Sequence, residues 1–224
     1  MIKISKRLEV IASFIENQDQ VIDIGCDHAL LDIYLYQTKN IKVIGTDINK
    51  RALEQAKRNL NKYKLSNQIE LKLVAGLNFT YDKSINTIII SGLGFSKIKD
   101  ILFENLTKLD FINKIIIQSN TKPFKTRQLI TKLGYYIEKE KLVFDNKIIY
   151  LILLFKKGQK KYTKEDLFFG PLLRKERSSL FLKDLEDNIM KKEYLLEKIP
   201  LKYTSRRKRL EKELAILKKE KTST

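Results

Sequence analysis

The chain has 224 residues, 43% of them hydrophobic, enough to bury one sizeable core with an appendage and too apolar for a disordered polypeptide. It carries 45 Lys and Arg against 27 Asp and Glu, a formal charge of +18, and one cysteine, Cys26, which excludes an intramolecular disulfide and argues against a secreted, cross-linked fold. No apolar run approaches the roughly 20 residues that cross a bilayer, and Lys3, Lys6, Arg7 and Glu9 break up the N-terminus in a way no signal peptide does, so a soluble cytoplasmic protein is expected.

In chain order, short β-rich runs alternate with helical stretches as far as residue 155. Residues 21–24 form an apolar strand interrupted only by Asp23, and a helical stretch follows over 30–36. A second strand is expected at 42–46. A helix over 49–64 is indicated by Leu53, Ala56 and Leu60 at spacings of three and four. Residues 69–74 alternate in polarity as a third strand, and 87–90 and 114–118 are continuous isoleucine-rich runs. Such runs suit strands covered on both faces, hence a parallel sheet. Two further strands, 135–142 and 147–155, flank Asp145 and Asn146, a hairpin signal. Five parallel strands closed by an antiparallel pair is the layout of the Rossmann-like class I methyltransferases: an α/β fold with a mostly parallel seven-stranded sheet.

The basic run at 156–161 marks a boundary, dividing the chain into domains 1–157 and 158–224. Beyond it Leu182, Leu185 and Ile189, then Leu210, Leu214 and Leu217, follow helical spacing, with Pro200 between them. Proline in a helix interior costs ~3 kcal/mol, so a helical, coiled-coil-like hairpin is expected. Residues 156–224 hold +10 of the +18 charge. The excess suits an acidic partner such as nucleic acid, although a composition rich in Lys, Ile and Asn produces it without selection on the surface.

The sharpest local signal is the turn Asp23-Ile24-Gly25-Cys26-Asp27-His28-Ala29, where a strand ends and a helix begins. Gly25 lets the backbone approach a ligand at the C-terminal edge of the sheet. Asp47 then stands at the end of the second strand, where a carboxylate accepts both hydroxyls of a ribose diol. A dinucleotide site needs three glycines around a pyrophosphate. Here there is one glycine, and the anionic Asp27 would repel a pyrophosphate while suiting a cofactor that carries an ammonium and a sulfonium. S-adenosylmethionine is the expected cofactor. The expected binding residues are Asp23, Gly25, Cys26, Asp27, His28, Asp47, Ile48, Ala75, Gly76, Leu77, Ser91 and Gly92. One histidine and one cysteine cannot form a zinc cage, so no metal is expected.

These segments resemble the TrmK family of bacterial tRNA adenine-N1 methyltransferases. The resemblance rests on the Asp23–Ala29 turn, Ala75-Gly76-Leu77, Ser91-Gly92-Leu93-Gly94-Phe95, Gln118-Ser119-Asn120 with Arg127, Gly134-Tyr135, residues 145–150, and Phe169-Gly170-Pro171. Two places depart from the family pattern: Ala75 stands where an Asp is usual, and Ser91 and Phe95 where Ala or Gly is. The resemblance implies methylation of N1 of adenine 22 in tRNA by a helical-tailed enzyme, expected to act as a monomer.

Adenine N1 has a lone pair at neutral pH, so no general base is needed for attack on the methyl group. It lies on the Watson–Crick edge, so the base must be unpaired or flipped. Asp27 is the leading candidate to stabilise the charge that moves onto the purine, with Gln118 and Asn120 available to orient the base. Asp27 and Asn120 are therefore the candidate catalytic residues. Lys202, Arg206, Arg207, Lys208 and Arg209 are the candidate phosphate contacts. Three rivals stand beside this reading: a methyltransferase of rRNA or protein, a noncatalytic RNA-binding module, and a coiled-coil interaction protein.

Overall fold

The computed structural model describes residues 1–222. Seven strands form one sheet: β1 (Val21–Ile24), β2 (Val43–Asp47), β3 (Ile69–Leu73), β4 (Thr87–Leu93), β5 (Lys114–Ser119), β6 (Tyr135–Asp145) and β7 (Ile148–Lys157). Their order is β3-β2-β1-β4-β5-β7-β6. The first five pair in parallel, while β7 is antiparallel to both β5 and β6. This is the Rossmann-like sheet expected from the sequence. The β6–β7 hairpin turns at Asn146 and Lys147, both at positive φ, the type I′ geometry whose twist matches a two-residue hairpin.

Strand alternation sorts the core into two layers. On one face Ile22, Ile24, Ile88, Ile90, Ile115 and Ile117 pack with Ile98 and Leu102 of α4 (Phe95–Phe103) and Ile130 of α5 (Pro123–Lys132). On the other, Val21, Val43, Ile89 and Ile116 meet Ile11 of α1 (Lys6–Ser13) and Leu31 and Leu35 of α2 (Leu30–Lys39). A further cluster joins Ile33 and Ile69 to Leu60 of α3 (Lys50–Lys62). The isoleucines of β4 and β5 are fully buried, because helices cover both sides of those strands.

The chain divides into two compact units between Arg174 and Lys175. The basic run at 156–161 therefore ends the sheet without ending the first unit. The reason is a set of buried ties. Arg127 donates from Nε to Glu140 at 2.6 Å and from its other nitrogens to the carbonyls of Leu167, Phe168 and Phe169. Glu140 also accepts the backbone N–H of Leu172 at 2.9 Å. Those contacts fasten α6 (Lys164–Phe169) and the start of α7 (Pro171–Glu176) to the sheet. Gly170 passes between them, where a Cβ would lie 2.7 Å from both partners.

The second unit is a helical hairpin of α8 (Ser179–Lys198) and α9 (Thr204–Thr222), with Pro200 in the link as expected. The helices run antiparallel. Arg177 contacts Glu220, Lys192 contacts Glu213, and Arg207 donates to the carbonyls of Leu196 and Ile199. Phe181, Leu185, Ile189, Leu210 and Leu217 form its buried seam, with Leu182 outside it.

Candidate active site

The parallel strands β1 and β2 end side by side, with Ile24 opposite Thr46. Since β1 lies between β2 and β4, the chain reverses its winding direction here and opens a crevice above the strand ends. A cleft of 660 Å³ occupies that position, within the range of cofactor pockets.

One wall is the loop between β1 and α2. Gly25, Asp27 and Ala29 all adopt positive φ; only glycine does so freely, so at Asp27 and Ala29 the backbone is strained. Hydrogen bonds hold the loop there. The N–H groups of Gly25 and Cys26 donate to the Thr46 carbonyl at 2.8 and 3.0 Å, and that of Asp27 to Asp47 Oδ2 at 3.2 Å. Asp47 Oδ1 takes the N–H of Asn49 at 2.8 Å, and Asn49 in turn caps α3. A carboxylate has about four acceptor positions, so each oxygen of Asp47 retains one for a ribose diol. His28 Nε2 lies 3.4 Å from Asp27 Oδ1, both side chains largely exposed.

The facing wall is a connected polar network. Arg7 Nη1 donates to Gln118 Oε1 at 2.6 Å and to Ser91 Oγ at 3.3 Å. Gln118 Oε1 also accepts the Gly92 N–H at 3.0 Å, and its amide donates to Asn120 Oδ1. Asn120 closes the circuit by donating to the Gly92 carbonyl at 2.7 Å. The Arg7 guanidinium also lies 5.3 Å from the ring centre of Tyr150. Arg7 from α1 and Gln118 and Asn120 from the end of β5 thereby hold the turn that begins at Ser91.

The floor is carboxylate-rich. Burial, opposed by the adjoining Asp32 carboxyl and helped by the nearby Asp47 charge, pushes Asp23 up to about 6. Asp32, wholly buried, is held well above the usual carboxylate range by burial and by Asp23. Burial and then the neighbouring Asp32 and Asp23 carboxyls raise the Cys26 thiol, so Cys26 is a poor nucleophile and serves as packing.

Of the expected cofactor residues, Asp23, Gly25, Cys26, Asp27, His28, Asp47, Ile48, Ala75, Gly76, Ser91 and Gly92 all line this cleft. Leu77 does not. Gly76, at positive φ, turns the chain inward, and Leu77 is fully buried in the core. Asn120 stands behind the Gly92 turn rather than on the cleft wall. Lys202, Arg206, Lys208 and Arg209 are exposed in the second unit, whereas Arg207 is half-buried with Nη1 occupied by the end of α8. Sequence reasoning missed Arg7 on α1, Lys97, Asp100 and Ile101 on α4, and Glu104 at the C-terminal cap of α4. Their helices were not predicted, although Ser5, which accepts the Leu8 N–H, is a readable N-cap. Among the described residues no group of acidic, histidine or cysteine side chains is arranged to hold a metal, and no helix is long and apolar enough to cross a membrane.

Comparison with known proteins gives a consistent picture. Residues 21–220 match the model of the TrmK family, described as tRNA (adenine(22)-N(1))-methyltransferase. A Mycoplasma genitalium protein, provisionally named a tRNA methyltransferase, is 37% identical over 75% of this chain and 78% of its own length. The Bacillus subtilis tRNA (adenine(22)-N(1))-methyltransferase is 28% identical over 88% of this chain and 86% of its own. A Streptococcus pneumoniae crystal structure in complex with S-adenosyl-L-methionine, provisionally named a tRNA (m1A22) methyltransferase, superimposes with a TM-score of 0.88 at 30% identity, covering 97% of this chain and 99% of that one.

Proposed function

The chain belongs to the TrmK family of tRNA (adenine(22)-N(1))-methyltransferases, and from that premise we propose how its residues divide the work of methylation. It is an S-adenosylmethionine-dependent enzyme that methylates N1 of adenine 22 in tRNA. The observation that carries the assignment is the joined wall of the cleft: the Gly25–Asp27 turn hydrogen-bonded to Asp47, with acceptor capacity left on both Asp47 oxygens.

The donor set fits an S-adenosyl group. Asp47 serves the ribose diol, Ile48, Ala75 and the backbone at Gly76 flank the adenine, and Asp23 and Asp27 oppose the cationic end. The bound cofactor supplies a methyl group on a positively charged sulfur. Asp27, exposed on the cleft wall, stabilises positive charge as it passes to the purine. Asn120 acts through the Gly92 carbonyl and is a positioning residue. The adenine N1 lone pair forms the new N–C bond while the S–C bond electrons return to sulfur, so proximity and alignment, worth ~7–11 kcal/mol when good, carry most of the rate.

The exposed Lys202, Arg206, Lys208 and Arg209 grip tRNA phosphates, supported by the charge excess of the tail. The working unit is proposed to be a monomer, and a tRNA substrate supports the cytoplasm as its compartment.

The test is transfer from labelled S-adenosylmethionine to unmodified tRNA with A or G at position 22, followed by nucleoside analysis. N1-methyladenosine is expected with A22 only. Cofactor binding without transfer would sink the tRNA assignment and redirect the search to rRNA or protein substrates. Asp47→Ala should weaken cofactor binding about 100-fold, as loss of two charge-assisted hydrogen bonds implies.

A further inference from the structure

Asp32 is the one side chain among the described residues whose buried polar atoms meet no hydrogen-bond partner: neither carboxyl oxygen receives an N–H or O–H from another residue. It sits on the first turn of α2 with no exposed surface. The sheet makes room for it. A Cβ at Gly45 would lie 2.5 Å from Asp32 Oδ2, so the missing side chain of Gly45 is the socket for this carboxyl. An isolated buried carboxylate is costly enough that such a group keeps its proton instead.

Asp23 stands opposite Gly45 across the β1–β2 ladder, so the carboxyl seated in that socket lies beside another carboxyl, that of Asp23. Two bare carboxylates offer each other only acceptors. A hydrogen bond between them can form only if one holds a proton, and Asp32, the more deeply buried of the two, is the one to hold it. Asp23 lines the cofactor cleft and Asp32 does not. The other charged or titratable groups around the pair are Asp47 on β2, Asp27 and the Cys26 thiol in the turn, and Arg7 on α1.

We propose that Asp32 is a positioning residue for the cofactor: it retains a proton, donates it to Asp23, and so fixes a single carboxylate against the ammonium end of S-adenosylmethionine. The pair carries one negative charge for one ammonium. A second ionised carboxylate in that floor would leave one negative charge in excess of the ammonium. This proposal rests on the methyltransferase reading of the cleft, and it adds a residue that makes no contact with the cofactor.

The test compares calorimetric binding of S-adenosylhomocysteine, which keeps the ammonium, with that of 5′-methylthioadenosine, which lacks it. Asp32→Leu removes the donor at similar volume. It should weaken S-adenosylhomocysteine about tenfold or more at pH 7.5 and leave 5′-methylthioadenosine within about twofold. Asp32→Asn, which donates an N–H in place of the proton, should restore binding. Equal losses for both ligands, or no loss for either, would overturn the proposal. Failure of the wild type to bind S-adenosylhomocysteine would overturn the cofactor reading itself.

Should Asp32→Leu fail to fold, the stability of the ligand-free wild type against that of Asp32→Asn across pH 5–8 decides the matter. A carboxyl whose folded pKa is raised contributes stability that is present below its unfolded value and lost as pH rises. The advantage of Asp32→Asn over wild type should therefore grow with pH. A constant difference across that range would mean that Asp32 ionises normally and would overturn the proposal.

Discussion

Two buried carboxyls in the first unit meet opposite fates. Glu140, on β6, is surrounded by donors: the Arg127 guanidinium at 2.6 Å and the backbone N–H of Leu172. Asp32, under the cofactor turn, has none. The same contrast runs along the sheet, since the buried Asp19 beside the start of β5 is met by Lys114 at 2.6 Å. Away from the cleft, a buried charge is paired and joins distant segments of chain. Beneath the cleft, carboxyls outnumber cations, and the missing positive charge is what a cationic cofactor brings. Complete pairing marks where this fold is held together; incomplete pairing marks where it waits for a ligand.

The comparison breaks most visibly at the clamp. Arg127→Ala would strand Glu140 without its cation and free three carbonyls, and removing one partner of a buried pair costs ~3–5 kcal/mol. Urea denaturation should show a loss of that size, and the segment from 163 to 173 should become sensitive to protease. Replacing both partners with apolar residues should cost less than the sum of the single losses. Gly170→Ala attacks the same point from the backbone, through its positive φ and the 2.7 Å approach to both side chains. A loss below about 1 kcal/mol for Arg127→Ala, the range of an exposed pair, would reduce the clamp to an ornament.

The cleft side is sharpened by pH. Asp23, lifted to about 6 by burial, has a folded value above its ordinary one. Its contribution to the stability of the ligand-free protein is thus fully present below about pH 4 and lost as pH rises through 6. Cofactor affinity must move the other way, because only the ionised Asp23 attracts an ammonium. Melting temperature of the ligand-free protein should fall between pH 5 and 7, while S-adenosylhomocysteine affinity rises up to tenfold per unit below 6 and levels above it. A pH-independent affinity over that range would remove Asp23 from the ammonium site.

These two regions were unequally legible in the sequence. The parallel core was readable because strands buried on both faces demand continuous runs such as Ile88–Ile90, and β1 has the bounds expected of it. Strands β2 and β4 extend further than their apolar runs, because Asp47 and Ser91 to Leu93 continue the ladder into the site with polar or small residues. The Gly25 turn and Asp47 announce themselves by spacing. Asp32 does not: an acid in a helix normally faces water, and only the socket at Gly45, formed across the sheet, turns it inward. Leu77 misled for the converse reason, since adjacency to Gly76 placed it in the motif while the turn of the chain placed it in the core. The clamp partners are thirteen residues apart and joined to a third segment, a relation that no local pattern expresses.

The smallest expected effects separate adjacent arginines in the second unit. Arg206 and Arg207 are equivalent as sequence, both counted toward phosphate contact, but Arg207 Nη1 donates to the Leu196 and Ile199 carbonyls at 2.6 and 2.7 Å. There it satisfies the open end of α8 and complements its dipole. Arg207→Ala should accordingly cost ~1–2 kcal/mol of stability in the hairpin, read as an earlier denaturation midpoint. Arg206→Ala should leave that midpoint alone, raise KM for tRNA two- to fivefold, and lower the slope of log affinity against log salt by about 1, as loss of one phosphate contact requires. If instead both variants lost tRNA affinity equally without loss of stability, the carbonyl contacts of Arg207 would yield to phosphate on binding, and the two arginines would be one surface after all.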